Sequence, residues 1–166
     1  LGLHCPAFLR CGYPIGTPGD DGSGIRMGQA VGADVRMMGE ALAYNAIYGT
    51  SAALVKGILV DARGKRFVGE DNYGEWTGDA IVKDYPVSYV IIDDAIWNEV
   101  PAQVRNMMAP IAQANTISEL AAALRIPALV LENTVALYNE FAGSGEDLEF
   151  QKDSHYLVPL GNAPYY

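Results

Sequence analysis

Gly69-Glu70-Asp71-Asn72-Tyr73 is the passage of this chain whose residue types and spacing come closest to chemistry. It closes a longer run, Gly57 to Tyr73, that reads GILVDARGKRFVGEDNY and sets a polar cluster beside a phenol. Two carboxylates can divide acid and base roles when both face one site. Adjacent residues of an extended segment point to opposite faces, so Glu70 and Asp71 do not pair in that sense, and a hydrogen-bonding role is expected of them. The Tyr73 phenol has an ordinary pKa of about 10 and needs a cationic or hydrogen-bonded setting to act as a base near neutrality. Its plainer reading is a half-buried hairpin tyrosine with its hydroxyl in water.

Few other side chains invite a chemical role. Trp76, Trp97, Tyr44, Tyr48 and Tyr85 could line an apolar cleft, although aromatics at such spacings more often belong to a core, where Trp97 is expected beside Ile96 and Val100. Cys5 and Cys11 could be bridged geometrically but match no zinc or CxxC spacing, and two free thiols are expected over a disulfide. His4 and His155 lie far apart, so no metal is assigned. The chain holds no GxGxxG after an opening strand, no Walker loop and no GxSxG, hence no dinucleotide or nucleophile-elbow motif of its own.

The elements that must position this passage follow from local patterning. Ile58-Leu59-Val60 suits a buried strand, Asp61 to Gly64 carries turn chemistry with Gly64 free to take positive φ, and Lys65-Arg66-Phe67-Val68 reads as the returning strand of a hairpin. Residues 1–22 are rich in Pro and Gly and are expected to be irregular; with no initiating Met, they look like the middle of a longer fold. Ser23 is the expected N-cap of a short helix that presents Ile25, Gln29 and Gly32 on one face and stops at Gly32. Val35 to Val55 has mixed periodicity. A helix is expected over 75–83 with Trp76, Ala80 and Ile81 on one face, then a strand over 87–92 closed by Asp93-Asp94, which cap a further helix. Thr116-Ile117-Ser118-Glu119 fits a capping box with Leu120, Ala123 and Leu124 as the apolar face. Pro127 opens another helix with Leu131, Val135 and Tyr138 on one stripe, ending at Gly143. Tyr156 to Leu160 is a strand or an extended exit. The fold class expected is α+β, a small mixed or antiparallel sheet of 58–60, 65–68 and 87–92 with helices 116–125 and 127–142 packed on it.

Composition narrows the function. At 166 residues, half of them apolar, the chain can build one domain with its own core. Its apolar runs are too short to span a bilayer, so it reads as a soluble, cytoplasmic protein. A formal charge of -9 and a pI near 4.5 argue against a nucleic-acid surface, which needs clustered Lys and Arg.

ILVDARGKRFVGED resembles the ILVN-x-x-GxRFxNE passage of the FAD-dependent fumarate reductase and 3-ketosteroid dehydrogenase superfamily, where it belongs to the substrate-covering, or capping, domain. Three further passages are similar to that superfamily in the same order: SGIRMGQAVGAD upstream, TISELAAALRI through ALVLENTVALYNEFAGSGEDLEF, and the exit APYY. SYVIIDD resembles the family's strand that ends in an acidic pair. The resemblance implies a fragment of a larger flavoenzyme, with residues 1–40 flanking the FAD domain and residues 41–166 forming the substrate-covering domain. FAD and its binding domain then lie on sequence outside this chain, which by itself is expected to bind no FAD and to show no turnover.

The resemblance also sorts the chemistry. Fumarate reductases place a proton-delivering Arg four residues beyond the NE glutamate, where this chain has Gly74, and their HPT and TExxR passages find no match between Leu42 and Gly57. Dicarboxylate binding would lack its cations. In 3-ketosteroid dehydrogenases the same loop presents a tyrosine that takes a proton as the flavin accepts hydride. Tyr73 stands one residue before the matching position and is carried over as the catalytic candidate. Glu70, Tyr48, Trp76 and Tyr166 are the substrate-cleft candidates. The leading expectation is a dehydrogenase of a bulky apolar ketone or steroid-like molecule. A fumarate reductase-like enzyme and a non-catalytic binding module are the alternatives.

Overall fold

The computed structural model describes residues 2–13, 15–45 and 50–166, so Tyr48 and Ile47 lie outside the described residues. The elements are α1 Ser23–Ala30, β1 Ile58–Asp61, α2 Gly74–Lys83, β2 Ser88–Ile91, α3 Asp94–Glu99, α4 Ala102–Arg105, α5 Ile117–Leu124 and α6 Ala128–Ser144. Short 3-10 turns cover Pro6–Arg10 and Ala52–Lys56. The class is α+β, as the patterning implies. Among the described residues no helix is long and apolar enough to cross a membrane.

The sheet is antiparallel and has two strands, with Ile58 opposite Ile91 and Asp61 opposite Ser88. Its apolar side meets α5 and α6 in one core, where Ile58, Val60, Ile91, Leu120, Leu131, Tyr138 and Leu160 are buried together. The expected third strand over 65–68 does not form; a single bridge joins Val60 to Arg66. The reason is on β1 itself. Its Leu59 N–H, which a returning carbonyl would have taken, donates to Glu70 Oε1 at 2.9 Å, so a carboxylate stands in for a ladder partner. Arg66 turns inward and Phe67 leaves to stack on Tyr85 at 4.1 Å. The turn before them is as expected, with Gly64 at φ +83.

Helix starts follow local chemistry closely. Asp93 caps α3 by accepting from Ile96 N at 3.0 Å, and the box of Thr116 and Glu119 caps α5 in both directions. The α6 helix begins after Pro127, buries Leu131, Val135 and Tyr138, and runs to Ser144, one residue past the expected end, before Gly145 caps it in the left-handed region. At α1 the cap shifts by one: Gly22, not Ser23, is the N-cap, and Asp21 Oδ1 accepts the Ser23 N–H at 2.8 Å. That helix stops at Ala30, before Gly32, and buries no residue within this chain.

Two faces differ from expectation. On α2 the buried side is Gly74, Thr77, Gly78 and Val82, while Trp76 is 73% exposed. The segment 43–45 crosses this helix so closely that a Cβ on Gly78 would lie 2.3 Å from the Ala43 carbonyl oxygen, and Asn45 N donates to Gly74 O. The crossing backbone, not the tryptophan, selects the face. Trp97, expected in the core, is only partly buried and tilts against Tyr166, ring centres 5.4 Å apart. The strand or extended exit expected over 156–160 does not form a strand: Tyr156 closes a turn on Asp153 O, and 157–160 leave without strand pairing. The chain end then returns to the sheet, where Tyr166 and Ile92 exchange backbone hydrogen bonds of 2.9 and 3.1 Å. Both cysteines are free.

Candidate functional site

The loop 69–73 is built from the inside. Arg66 Nε and Nη2 donate to the two Glu70 oxygens at 3.0 and 2.9 Å, and Nη2 also donates to Asp147 Oδ2 at 2.7 Å. Lys152 Nζ lies 3.3 Å from Glu70 Oε2 and donates to Gly57 O at 2.6 Å and Tyr138 Oη at 3.2 Å. All four charges are buried, two of each sign, so the cluster is neutral and its polar atoms are bonded.

Burial works against the Arg66 charge, but its bonds and charge contacts to Glu70 and Asp147 outweigh it and keep the guanidinium protonated. Burial likewise raises the Asp147 carboxyl, yet Arg66 and the N–H groups of Glu149 and Phe150 hold it below the usual carboxylate range. Lys152 is pushed below the ordinary lysine value, burial being the largest cause. Glu70 is therefore occupied in this cluster and in bonding Leu59, away from any cleft.

At the tip, Tyr73 is 70% exposed and shares an open groove with Leu42, Glu75, Trp76 and Asp79. The Glu75 charge, followed by hydrogen bonding to the same carboxylate, raises the phenol above its ordinary value, because a phenolate beside a carboxylate is disfavoured. Lys83, on the same helix, offers no relief: its ammonium is held by Asp79 and Glu40 at 3.1 and 3.2 Å. The cationic setting that a tyrosine base needs is not supplied by these groove residues.

A second concavity lies elsewhere. A cavity of about 360 Å³ opens between β2, α3 and the 108–112 segment, lined by Val90, Ile92, Trp97, Met108, Leu124 and Tyr166 among others. Its walls are mostly apolar, and the Tyr166 hydroxyl donates to Asp94 Oδ1 at 2.9 Å. Trp76 and Tyr73 are thus brought together, Tyr166 stands apart from them, Glu70 is interior, and Tyr48 is outside the described residues. Among the described residues no cluster of His, Cys, Asp or Glu could hold a metal ion.

The buried partners Asp147 and Lys152 escape a reading of the sequence because 81 residues separate Arg66 from Asp147 and the pairing is tertiary. The available signal was an Arg in a run otherwise suited to a strand.

No family model matches the chain. A solved structure of the 3-ketosteroid-delta4-(5alpha)-dehydrogenase from Rhodococcus jostii RHA1, in complex with 4-androstene-3,17-dione, superposes on 99% of it with a TM-score of 0.83 and 31% identity. The chain has the capping-domain fold of the fumarate reductase and 3-ketosteroid dehydrogenase superfamily. A flavocytochrome c3 fumarate reductase in its open conformation shares this fold over 87% of the chain, at a TM-score of 0.60 and 22% identity. The NADH:acrylate oxidoreductase of Vibrio harveyi is 29% identical over 166 residues, 90% of this chain. These relatives are oxidoreductases by name. The chain spans 34% of the steroid dehydrogenase chain and 16% of the acrylate oxidoreductase.

Proposed function

We propose that this chain is the substrate-covering domain of a larger FAD-dependent dehydrogenase acting on a bulky apolar ketone or steroid-like molecule. The observation that carries the reading is the 31% identity, over 99% of the chain, to an enzyme solved with a 3-ketosteroid-type ligand. Residues 41–166 form the covering domain and residues 1–40 lie against the FAD domain of the same polypeptide. The exposed Leu3, Leu9, Tyr13, Ile15, Met27 and Val31 support that second assignment, since so many large apolar side chains are costly to leave in water.

The described residues do not cradle a dinucleotide. The glycine-flanked start of α1 follows Asp20 and Asp21, and the Asp21 carboxylate already takes its Ser23 N–H, so a pyrophosphate would meet two negative charges there. FAD is accordingly assigned to the rest of the polypeptide, where it supplies the hydride acceptor, and this chain alone binds none and does not turn over. What this chain contributes is the proton step and the exclusion of water. Tyr73 Oη takes the proton from the carbon beside the one that is oxidised, Trp76 and Leu42 cover the apolar body, and Tyr166 borders the apolar cavity.

The test is turnover of the full-length protein, with an artificial electron acceptor, on 3-ketosteroids, smaller cyclic ketones and dicarboxylates. Turnover of the ketones without reduction of fumarate is expected; fumarate reduction alone would overturn the reading.

The charge beside Tyr73 has a consequence for pH. A base works as phenolate, so the rate rises with pH towards the Tyr73 pKa, which Glu75 holds above the ordinary phenol value. Glu75→Gln removes that charge, and the rising limb of the rate profile should move to lower pH. A limb that stays in place would show that another group titrates.

A further inference from the structure

We propose that Asp71 is a positioning residue for Tyr73, its carboxylate latching the catalytic loop to the backbone of the 147–153 turn. This rests on the reading of Tyr73 as the proton acceptor. Asp71 Oδ2 accepts the Asp153 N–H at 2.7 Å, across 82 residues of sequence. The donor end is itself fixed: the Asp153 carboxylate accepts the His155 N–H at 2.8 Å, and Lys152, the residue before it, is anchored in the buried cluster.

The phenol needs such a latch because, beyond its hydrogen bond to Glu75, its own side chain has little to hold it. Tyr73 is largely exposed, and its placement comes from the backbone on either side. On the C-terminal side Tyr73 O opens α2 by accepting from Trp76 N at 2.9 Å. On the N-terminal side Asn72 N closes a tight turn on Gly69 O at 3.1 Å, with Glu70 and Asp71 at its two central positions. Glu70 goes inward and joins the core cluster, whereas Asp71 goes outward and bridges to Asp153. One carboxylate fixes the depth of the loop and the other its lateral position. Only the second can be removed without opening the core.

The test uses the full-length flavoprotein and three variants. Asp71→Ala is expected to lower kcat about tenfold or more with KM, melting temperature and pH profile little changed, since a small misplacement of a reacting group is expensive. Asp71→Asn keeps an oxygen acceptor for the Asp153 N–H and should restore most of the loss. Tyr73→Phe serves as the reference. If Tyr73→Phe is inactive while Asp71→Ala retains kcat, or if Asp71→Asn fails to rescue, the latch is overturned and the proton-acceptor reading stands. If Tyr73→Phe turns over normally, that reading fails and the latch fails with it.

Discussion

Replacing Tyr73 by Phe in the full-length flavoprotein lowers turnover by about a hundredfold or more, with flavin content and melting temperature unchanged. The magnitude is that of a positioned acid or base. The sparing of the fold follows from exposure: the Tyr73 ring is largely in water and belongs to neither apolar cluster of the domain, so removing one hydroxyl costs the core nothing. Because Glu75 already disfavours the phenolate, the variant separates two accounts of the loop. If Tyr73 is the base, the rising limb of the pH profile disappears with its hydroxyl. If the loop only covers substrate, turnover survives and KM alone changes, which would discard the catalytic assignment.

Replacing Arg66 by Met in this chain is expected to lower stability by roughly 3 kcal/mol, the lower end for breaking a buried ion pair from one side. Methionine fills much of the arginine volume, so the cost is mainly electrostatic. It stays at the lower end because neither carboxylate is left bare. Glu70 keeps Leu59 N and Lys152, and Asp147 keeps the N–H groups of Glu149, Phe150 and Lys152. For a domain of this size the fall in melting temperature is roughly 6–12 °C, measurable by thermal unfolding. An unchanged melting temperature would show that the cluster does not hold the loop to the core.

The same cluster sets an acid limb. Asp147 has a depressed carboxyl pKa in the fold, so its contribution is fully present above the unfolded value of about 3.9 and is lost as pH falls through the lower folded value. Without Arg66 the folded value rises towards the unfolded one, so this contribution shrinks and its loss is complete at a higher pH, while its onset near the unfolded value stays in place.

Much of the local structure was legible from the residues. Thr116 and Glu119, Asp93, Pro127 and the Leu131-Val135-Tyr138 stripe specify their helix starts and buried face through interactions spanning a few residues, and the structure agrees at each. The turn at Gly64 is of the same kind. Where the reading failed, a long-range partner had intervened. Lys65 to Val68 has strand composition, but Glu70 takes the β1 N–H that the strand would need. Trp76 has the bulk of a core residue, but the 43–45 segment claims the opposite side of α2 through Gly78.

The candidate site divides in the same way. The sequence by itself determined that a phenol follows two carboxylates at the end of a strand-turn segment, and its resemblance to one superfamily, carried by four passages in order, implies that Gly74 stands where the fumarate enzymes have an arginine. Only the tertiary structure decided which carboxylate goes inward. Glu70 is buried because Arg66, four residues before it, and Lys152, arriving from a distant segment, neutralise it there. Asp71 stays outside because the Asp153 N–H meets it at the surface. Local sequence carries turn and capping preferences of about a kilocalorie each. The burial of a charge needs partners that only the folded chain brings within hydrogen-bond distance.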